Sequence, residues 1–86
     1  MRLDKFLKTA LIFKTRSSGE KAIEEGRVLI NENATKPSSN LKVADIITIS
    51  MPLKKTTYKV LQLIDKNVSK KMAREMFEVI NEEQFE

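Results

Sequence analysis

Eighty-six residues with sixteen Lys and Arg against twelve Asp and Glu give a formal net charge of +4, and neither cysteine nor histidine occurs. That length fits one domain, and the composition excludes a disulfide framework, a zinc finger and any His- or Cys-based nucleophilic site. No apolar run approaches the roughly 20 residues that span a bilayer, and Met1 to Lys8 is charged at every turn, so the chain reads as soluble and cytoplasmic with no membrane contact.

The charge is unevenly spread. Seven basic side chains face four acids in residues 1–30, five face two in 31–60, and four face six in 61–86. The first two-thirds therefore carry the basic excess, which points to a polyanionic partner.

Leu3, Phe6, Leu7 and Ala10 fall at i, i+3, i+4 and i+7, predicting a helix from Arg2 to Ala10 or Leu11. Lys5 and Lys8 then point away from the apolar stripe and Arg2 lies on its flank. Leu11, Ile12 and Phe13 read as a helix end and a buried connection. Ser17 and Glu20 have capping-box spacing, which predicts a second helix from Ser18 to Glu25. Its inward residues would be Gly19, Ala22 and Ile23, and close backbone approach would justify the glycine. Gly26 stands where a left-handed residue ends a helix.

Past Arg27 the periodicity becomes that of strands. Val28 to Ile30 is a short strand, Asn31-Glu32-Asn33 a turn and Ala34-Thr35 the return; Lys36 to Asn40 is loop. Ile46 to Met51 is nearly continuous in β-branched residues. Pro52 to Lys55 reads as a basic turn and Thr56 to Ile64 as a final strand. A third helix is expected from Val68 to Asn81, burying Val68, Met72, Ala73, Met76, Phe77 and Ile80, with Glu82 to Glu86 fraying. The fold class is thus α+β: two N-terminal helices, a small mostly antiparallel sheet and a C-terminal helix.

Enzyme chemistry has few candidates, and none that suggests a shared acid/base site. Asp4 and Asp45 are single carboxylates far apart, Glu24-Glu25 and Glu82-Glu83 diverge around a helix, and the two glycines form no phosphate loop. No cofactor is implied. The basic set Arg2, Lys5, Lys8, Lys14, Arg16, Lys21 and Lys36, with the helix start at Ser17, suits phosphate groups. Arg16 can grip a phosphate with two parallel hydrogen bonds. Phe6, Phe13 and Phe77 read as buried, and Tyr58 is left as the one stacking surface. So few aromatics favour a folded RNA read by backbone shape over single strands.

The order Arg2-Leu3-Asp4-Lys5-Phe6-Leu7, Lys14-x-Arg16-Ser17, Ala22-Ile23-x-x-Gly26-Arg27-Val28-x-Ile30-Asn31, Lys36-Pro37-Ser38 and Val43-Ala44-Asp45-x-Ile47 resembles the RNA-binding domain first defined in small-subunit ribosomal protein S-four. The resemblance covers about residues 1–50 and leaves 51–86 to complete the same domain with a strand and a helix. It implies two helices and a hairpin forming an L-shaped RNA surface. A free-standing version opening on Met1-Arg2-Leu3-Asp4-Lys5-Phe6-Leu7-Lys8 is most similar to the RqcP-like family of small bacterial ribosome-associated quality-control factors, relatives of the fifteen-kilodalton heat-shock protein. That resemblance implies binding to a large ribosomal subunit holding peptidyl-tRNA, contact with both tRNA and large-subunit ribosomal RNA, and support of RqcH in adding a C-terminal alanine tail. Arg2, Asp4, Lys5, Lys8, Lys14 and Arg16 would be its contact residues, with Asp4 orienting basic neighbours. The chain departs from the family pattern where Asn31-Glu32-Asn33 replaces an Asn-Gly turn, Ala44-Asp45 replaces Gly-Asp, and Gly19 replaces alanine.

Two other readings compete: a winged-helix DNA-binding regulator, and a protein-interaction module using the Met72, Met76 and Phe77 helix. The second helix is short and lacks side chains that read base edges. A monomer is expected, since no predicted face is conspicuously apolar.

Overall fold

A computed structural model describes residues 1–85. Helices α1 (Leu3–Thr9) and α2 (Arg16–Glu24) precede strands β1 (Val28–Ile30), β2 (Asn33–Ala34), β3 (Ile46–Met51) and β4 (Lys54–Val60), followed by a short helix α3 (Lys70–Arg74) and strand β5 (Phe77–Gln84). The five strands form one antiparallel sheet in the order β2-β1-β3-β4-β5. β3 pairs with β1 on one side and β4 on the other, so the N- and C-terminal parts share one sheet.

The core forms where the apolar stripe of α1 meets one face of that sheet. Leu3, Phe6 and Leu7 are fully buried with Ile23, Val28, Leu41, Ile47, Val60 and Met76. Burying one side chain of this size stabilises by about 1.5–3 kcal/mol, so α1 is anchored by its spacing. Both helices stop in the same way. Leu11 (φ 59) and Gly26 (φ 77) adopt the left-handed conformation just past the last turn. In each case two N–H groups fold back onto the final carbonyls: Leu11 onto Lys8 and Ile12 onto Leu7, then Gly26 onto Ile23 and Arg27 onto Ala22.

Helix α2 begins two residues before the expected start. Its cap is Thr15, whose Oγ1 accepts from the Ser18 N–H at 3.1 Å, and Ser17 falls inside the first turn. The Thr15 hydroxyl also donates to Ser18 Oγ at 2.9 Å, and Ser18 Oγ donates to the Thr15 carbonyl at 2.8 Å, a local network that out-competes the Ser17–Glu20 box. Gly19 is buried, yet a methyl group there would lie 3.7 Å from Leu7 Cβ and 3.8 Å from Phe13 Cδ2, in ordinary contact. The helices therefore do not require glycine at that position.

The β1–β2 hairpin turns through Asn31 and Glu32, both at positive φ, as a two-residue loop of this kind demands. The β3–β4 hairpin turns through Pro52 and Leu53, which puts Lys54 and Lys55 in the strand and ends it at Val60.

The C-terminal segment departs most from expectation. The helix expected to reach Asn81 closes at Arg74, and the following residues form β5 against the open edge of β4. Two effects override the helical spacing. β5 satisfies the backbone groups of β4, which a helix would leave unpaired. It also sets acids against bases, with Glu78 opposite Lys59, Glu83 opposite Lys55 and Glu82 Oε1 3.3 Å from Lys54 Nζ. Ala73 and Met76 remain buried as expected, whereas Ile80 is 47% exposed. The register steps from Tyr58↔Val79 to Thr57↔Asn81, leaving Ile80 as the extra residue of a bulge. The tail expected to fray is held through Gln84 by pairing with Lys54, and Phe85 donates to the Leu53 carbonyl at 2.9 Å; Glu86 lies outside the described residues.

Candidate nucleic-acid interface

Helix α1 starts without a side-chain cap, so its first N–H groups need other partners. The loop 36–40 supplies them: Leu3 N–H donates to the Ser39 carbonyl at 2.9 Å and Asp4 N–H to the Pro37 carbonyl at 3.1 Å. The Met1 ammonium donates to Asn40 Oδ1 at 3.1 Å, and Leu41 N–H to the Met1 carbonyl at 2.8 Å. This clasp fixes the chain terminus and brings the Lys36 loop beside Arg2.

Asp4 is the centre of the site. It is 1% exposed, and two guanidinium groups grip it from opposite ends of the chain segment. Arg2 donates from Nε to Oδ1 and from Nη2 to Oδ2, both at 3.2 Å. Arg16 donates from Nε to Oδ2 at 3.2 Å and from Nη2 to Oδ1 at 3.3 Å. The Lys5 N–H adds a fifth bond to Oδ1 at 2.8 Å. Burial pushes the Asp4 carboxyl up, but the hydrogen bonds from Arg16 and Arg2, with that of the Lys5 N–H, outweigh it and hold the group below the ordinary carboxylate value. Asp4 is thus a charged bracket joining the start of α1 to the start of α2. Arg2 and Arg16 keep about half their side chains in solvent, at 54% and 47% exposure, so each has donors left for a ligand. Glu20 steadies Arg16 from one turn along α2, Oε1 lying 3.8 Å from Nε.

The structure gathers only part of the expected set around this bracket. Arg2, Asp4 and Arg16 are in direct contact, Ser17 follows Arg16 in the first turn of α2, and Lys36 opens the clasping loop. Lys5 lies on α1 with its ammonium 3.8 Å from Asp65 Oδ2. Lys14 is exposed on the connection between the helices. Lys8 turns toward a cleft shared with Asp65, Asn67 and Lys70, and Lys21 lines a separate groove with Phe13, Arg27 and Pro52. Lys8 and Lys21 therefore line two different grooves.

Tyr58 is not the free stacking surface expected. It is half-buried and packs edge-on against Phe77, ring centroids 5.3 Å apart, and burial raises its phenol above the ordinary value. The sequence reading also missed Thr15 as cap, Glu20 as partner of Arg16, and the basic character of α3. The last was legible, because residues 66–74 hold Lys66, Lys70, Lys71 and Arg74 with no acid among them. Reading one helix to Asn81 averaged that run with the glutamates of β5.

Comparison with known proteins identifies the family. A family model described as the S4 domain matches residues 1–47. The chain is 37% identical over 83 residues to the RQC P-site tRNA stabilizing factor of Listeria monocytogenes, covering 96% of this chain and 89% of that one. It is equally similar, at 37% over 83 residues, to the factor of the same name from Bacillus subtilis, with 96% and 95% covered. Among solved structures it resembles Vibrio cholerae heat shock protein 15, described as trimeric, with a TM-score of 0.84, 28% identity, and 92% of this chain and 80% of that chain covered. The chain, with an S4 domain over residues 1–47, belongs to the family of the RQC P-site tRNA stabilizing factors.

Proposed function

We propose that this chain is an RNA-binding accessory factor of the large ribosomal subunit. It holds large-subunit ribosomal RNA and peptidyl-tRNA during quality control of stalled nascent chains in the cytoplasm. It supports C-terminal alanine tailing by RqcH through positioning and catalyses nothing itself. The observation that carries this reading is the Arg2–Asp4–Arg16 bracket, which presents two half-exposed guanidinium groups in fixed planes on an S4 domain. Guanidinium groups held this way suit the paired oxygens of a phosphate. The relatives' name, RQC P-site tRNA stabilizing factor, supports tRNA as one ligand. Lys5, Lys8, Lys14, Ser17, Lys21 and Lys36 extend the phosphate contacts around the bracket. The winged-helix DNA reading is not favoured, since neither the relatives nor the structural neighbour point to DNA.

The test is sucrose-gradient sedimentation of tagged protein in lysate, comparing wild type with Arg16→Ala and probing large-subunit fractions for peptidyl-tRNA. The expected result is co-migration of wild type with large subunits that carry peptidyl-tRNA, and Arg16→Ala left at the top of the gradient. Wild type remaining at the top in low salt, where phosphate contacts are strongest, refutes the assignment.

A further inference from the structure

Helix α3 carries a second concentration of positive charge that the bracket does not use. Lys70, Lys71 and Arg74 are all exposed, while Met72 is half-buried and Ala73 is 1% exposed, so the three cations share the outward side of one short helix. Lys66 precedes them on the same segment. Among the described residues none of the four has an acid within ion-pair distance. The nearest acids in sequence are Asp65, which faces Lys5, and Glu75 and Glu78, which follow the helix.

A structural role accounts for only half of this charge. Lys71 and Arg74 stand in the last turn, where cations complement the helix dipole. Lys70 stands at its start, where a cation is disfavoured, and repels Arg74 one turn on, while Lys66 lies ahead of the Ser69 cap, outside the helix. The helix is nevertheless firmly held. Ser69 Oγ accepts from Met72 N–H at 3.1 Å, Met76 is fully buried, and Leu61 and Gln62 N–H both donate to the Met76 carbonyl, at 2.8 and 3.2 Å. Lys5 ties the preceding loop to α1 through Asp65. Between the end of α1 and the start of α3 lies a cleft of about 310 Å³ with Lys8 and Lys70 on its walls, lined also by Leu11, Asn67, Val68 and Asp65, whose carboxylate pairs with Lys5. The cleft thus lies between α1 and α3, with a cation from each on its walls.

We infer that α3 is a second phosphate-binding face, formed by Lys66, Lys70, Lys71 and Arg74 with Lys8 across the cleft. It takes the sugar–phosphate backbone of an RNA segment other than the one on the Arg2–Arg16 bracket. The inference rests on the RNA-binding reading above and extends it from one contact surface to two. On the outward side of α3 no apolar side chain separates Lys70, Lys71 and Arg74, which suits a phosphate backbone better than a peptide, whose binding needs buried side chains at the centre of the contact.

The experiment uses purified large ribosomal subunits with a P-site tRNA as the probe, and compares wild type, Arg16→Ala and the triple variant Lys70→Gln, Lys71→Gln, Arg74→Gln. Glutamine keeps helix propensity, and circular dichroism checks that each variant is folded. Affinity is measured across a salt series, and hydroxyl-radical footprinting records the protected nucleotides. Each lost phosphate contact flattens the slope of log affinity against log salt by about 0.7–0.9. The triple variant is expected to flatten the slope by about two and, with the salt-independent part of binding unchanged, to bind about a hundredfold more weakly near 0.1 M salt. It should lose one block of protected nucleotides while keeping the block that Arg16→Ala loses. A triple variant with wild-type slope and full protection overturns the second face while leaving the bracket intact. Loss of the same block as Arg16→Ala shows a single RNA segment and overturns it equally. Wild-type protein that protects nothing at low salt defeats the RNA-binding reading, and the second face with it.

Discussion

Replacing Asp4 by Asn separates two accounts of the basic face, because they predict opposite signs. The substitution keeps the side-chain volume and leaves an oxygen for the Lys5 N–H, but removes the charge that both guanidinium groups share. The formal net charge rises from +4 to +5. If RNA senses only total charge, binding tightens. If it needs Arg2 and Arg16 held in fixed planes, binding weakens. Charge-assisted hydrogen bonds contribute about 1.5–3 kcal/mol each when both partners are buried, but Arg2 and Arg16 are 54% and 47% exposed and regain water when released. Discounting for that solvent leaves a stability loss of about 1–2 kcal/mol, or a fall in Tm of roughly 5–15 °C for a domain of this size. Affinity for large-subunit RNA in a filter-binding assay should fall about tenfold, equivalent to about 1.4 kcal/mol. Unchanged Tm together with tighter binding would refute the bracket.

The same carboxylate sets an acid limit. Its pKa is lowered by folding, so its contribution is complete above the ordinary carboxylate range near about pH 4 and is lost as pH falls through the lowered value. A pH series of thermal melts should show that decline in wild type and a shallower one in Asp4→Asn. Thr15→Ala removes the cap of α2 and should cost about 1 kcal/mol, read from urea unfolding, whereas Ser17→Ala should cost much less. Gly19→Ala should stabilise by about 0.5–1 kcal/mol, since the added methyl finds ordinary contacts; a loss of stability would mean the two helices do need glycine. Ala44→Gly should also stabilise, by about 0.5–1 kcal/mol, because φ is +76 there. Sedimentation at micromolar concentration should give a monomer, in contrast to the trimeric relative, and a dimer or trimer would overturn that expectation.

The N-terminal half was legible because local and tertiary signals coincide. Leu3, Phe6, Leu7 and Ala10 make a stripe that only a helix can bury, and Ile46 to Met51 a run that suits only a strand. The role of Asp4 as an orienting residue follows the family resemblance, but its fivefold hydrogen bonding depends on Arg16 arriving from twelve residues away. The family's usual glycines are absent from the turns at Glu32 and Ala44, yet the backbone keeps positive φ at both, so the fold imposes that geometry on residues that resist it. The C-terminal third misled because Ala73, Met76, Phe77 and Ile80 fit a helix as well as a strand. What decides between them is the unpaired edge of β4, and no local pattern contains that partner.

The pairing of β4 with β5 has an effect on how the molecule meets its partner. Lys54, Lys55 and Lys59 are matched by Glu78, Glu82 and Glu83, so this margin of the sheet is close to electroneutral. The uncompensated charge is then concentrated at the helical end, which gives the protein a lopsided field and turns it before contact. Encounters should be oriented from a distance of about one Debye length, roughly 8–10 Å in physiological salt, with the glutamate-bearing strand trailing. That strand, bulged at Ile80, also offers a poor template for a second chain to pair with along its edge.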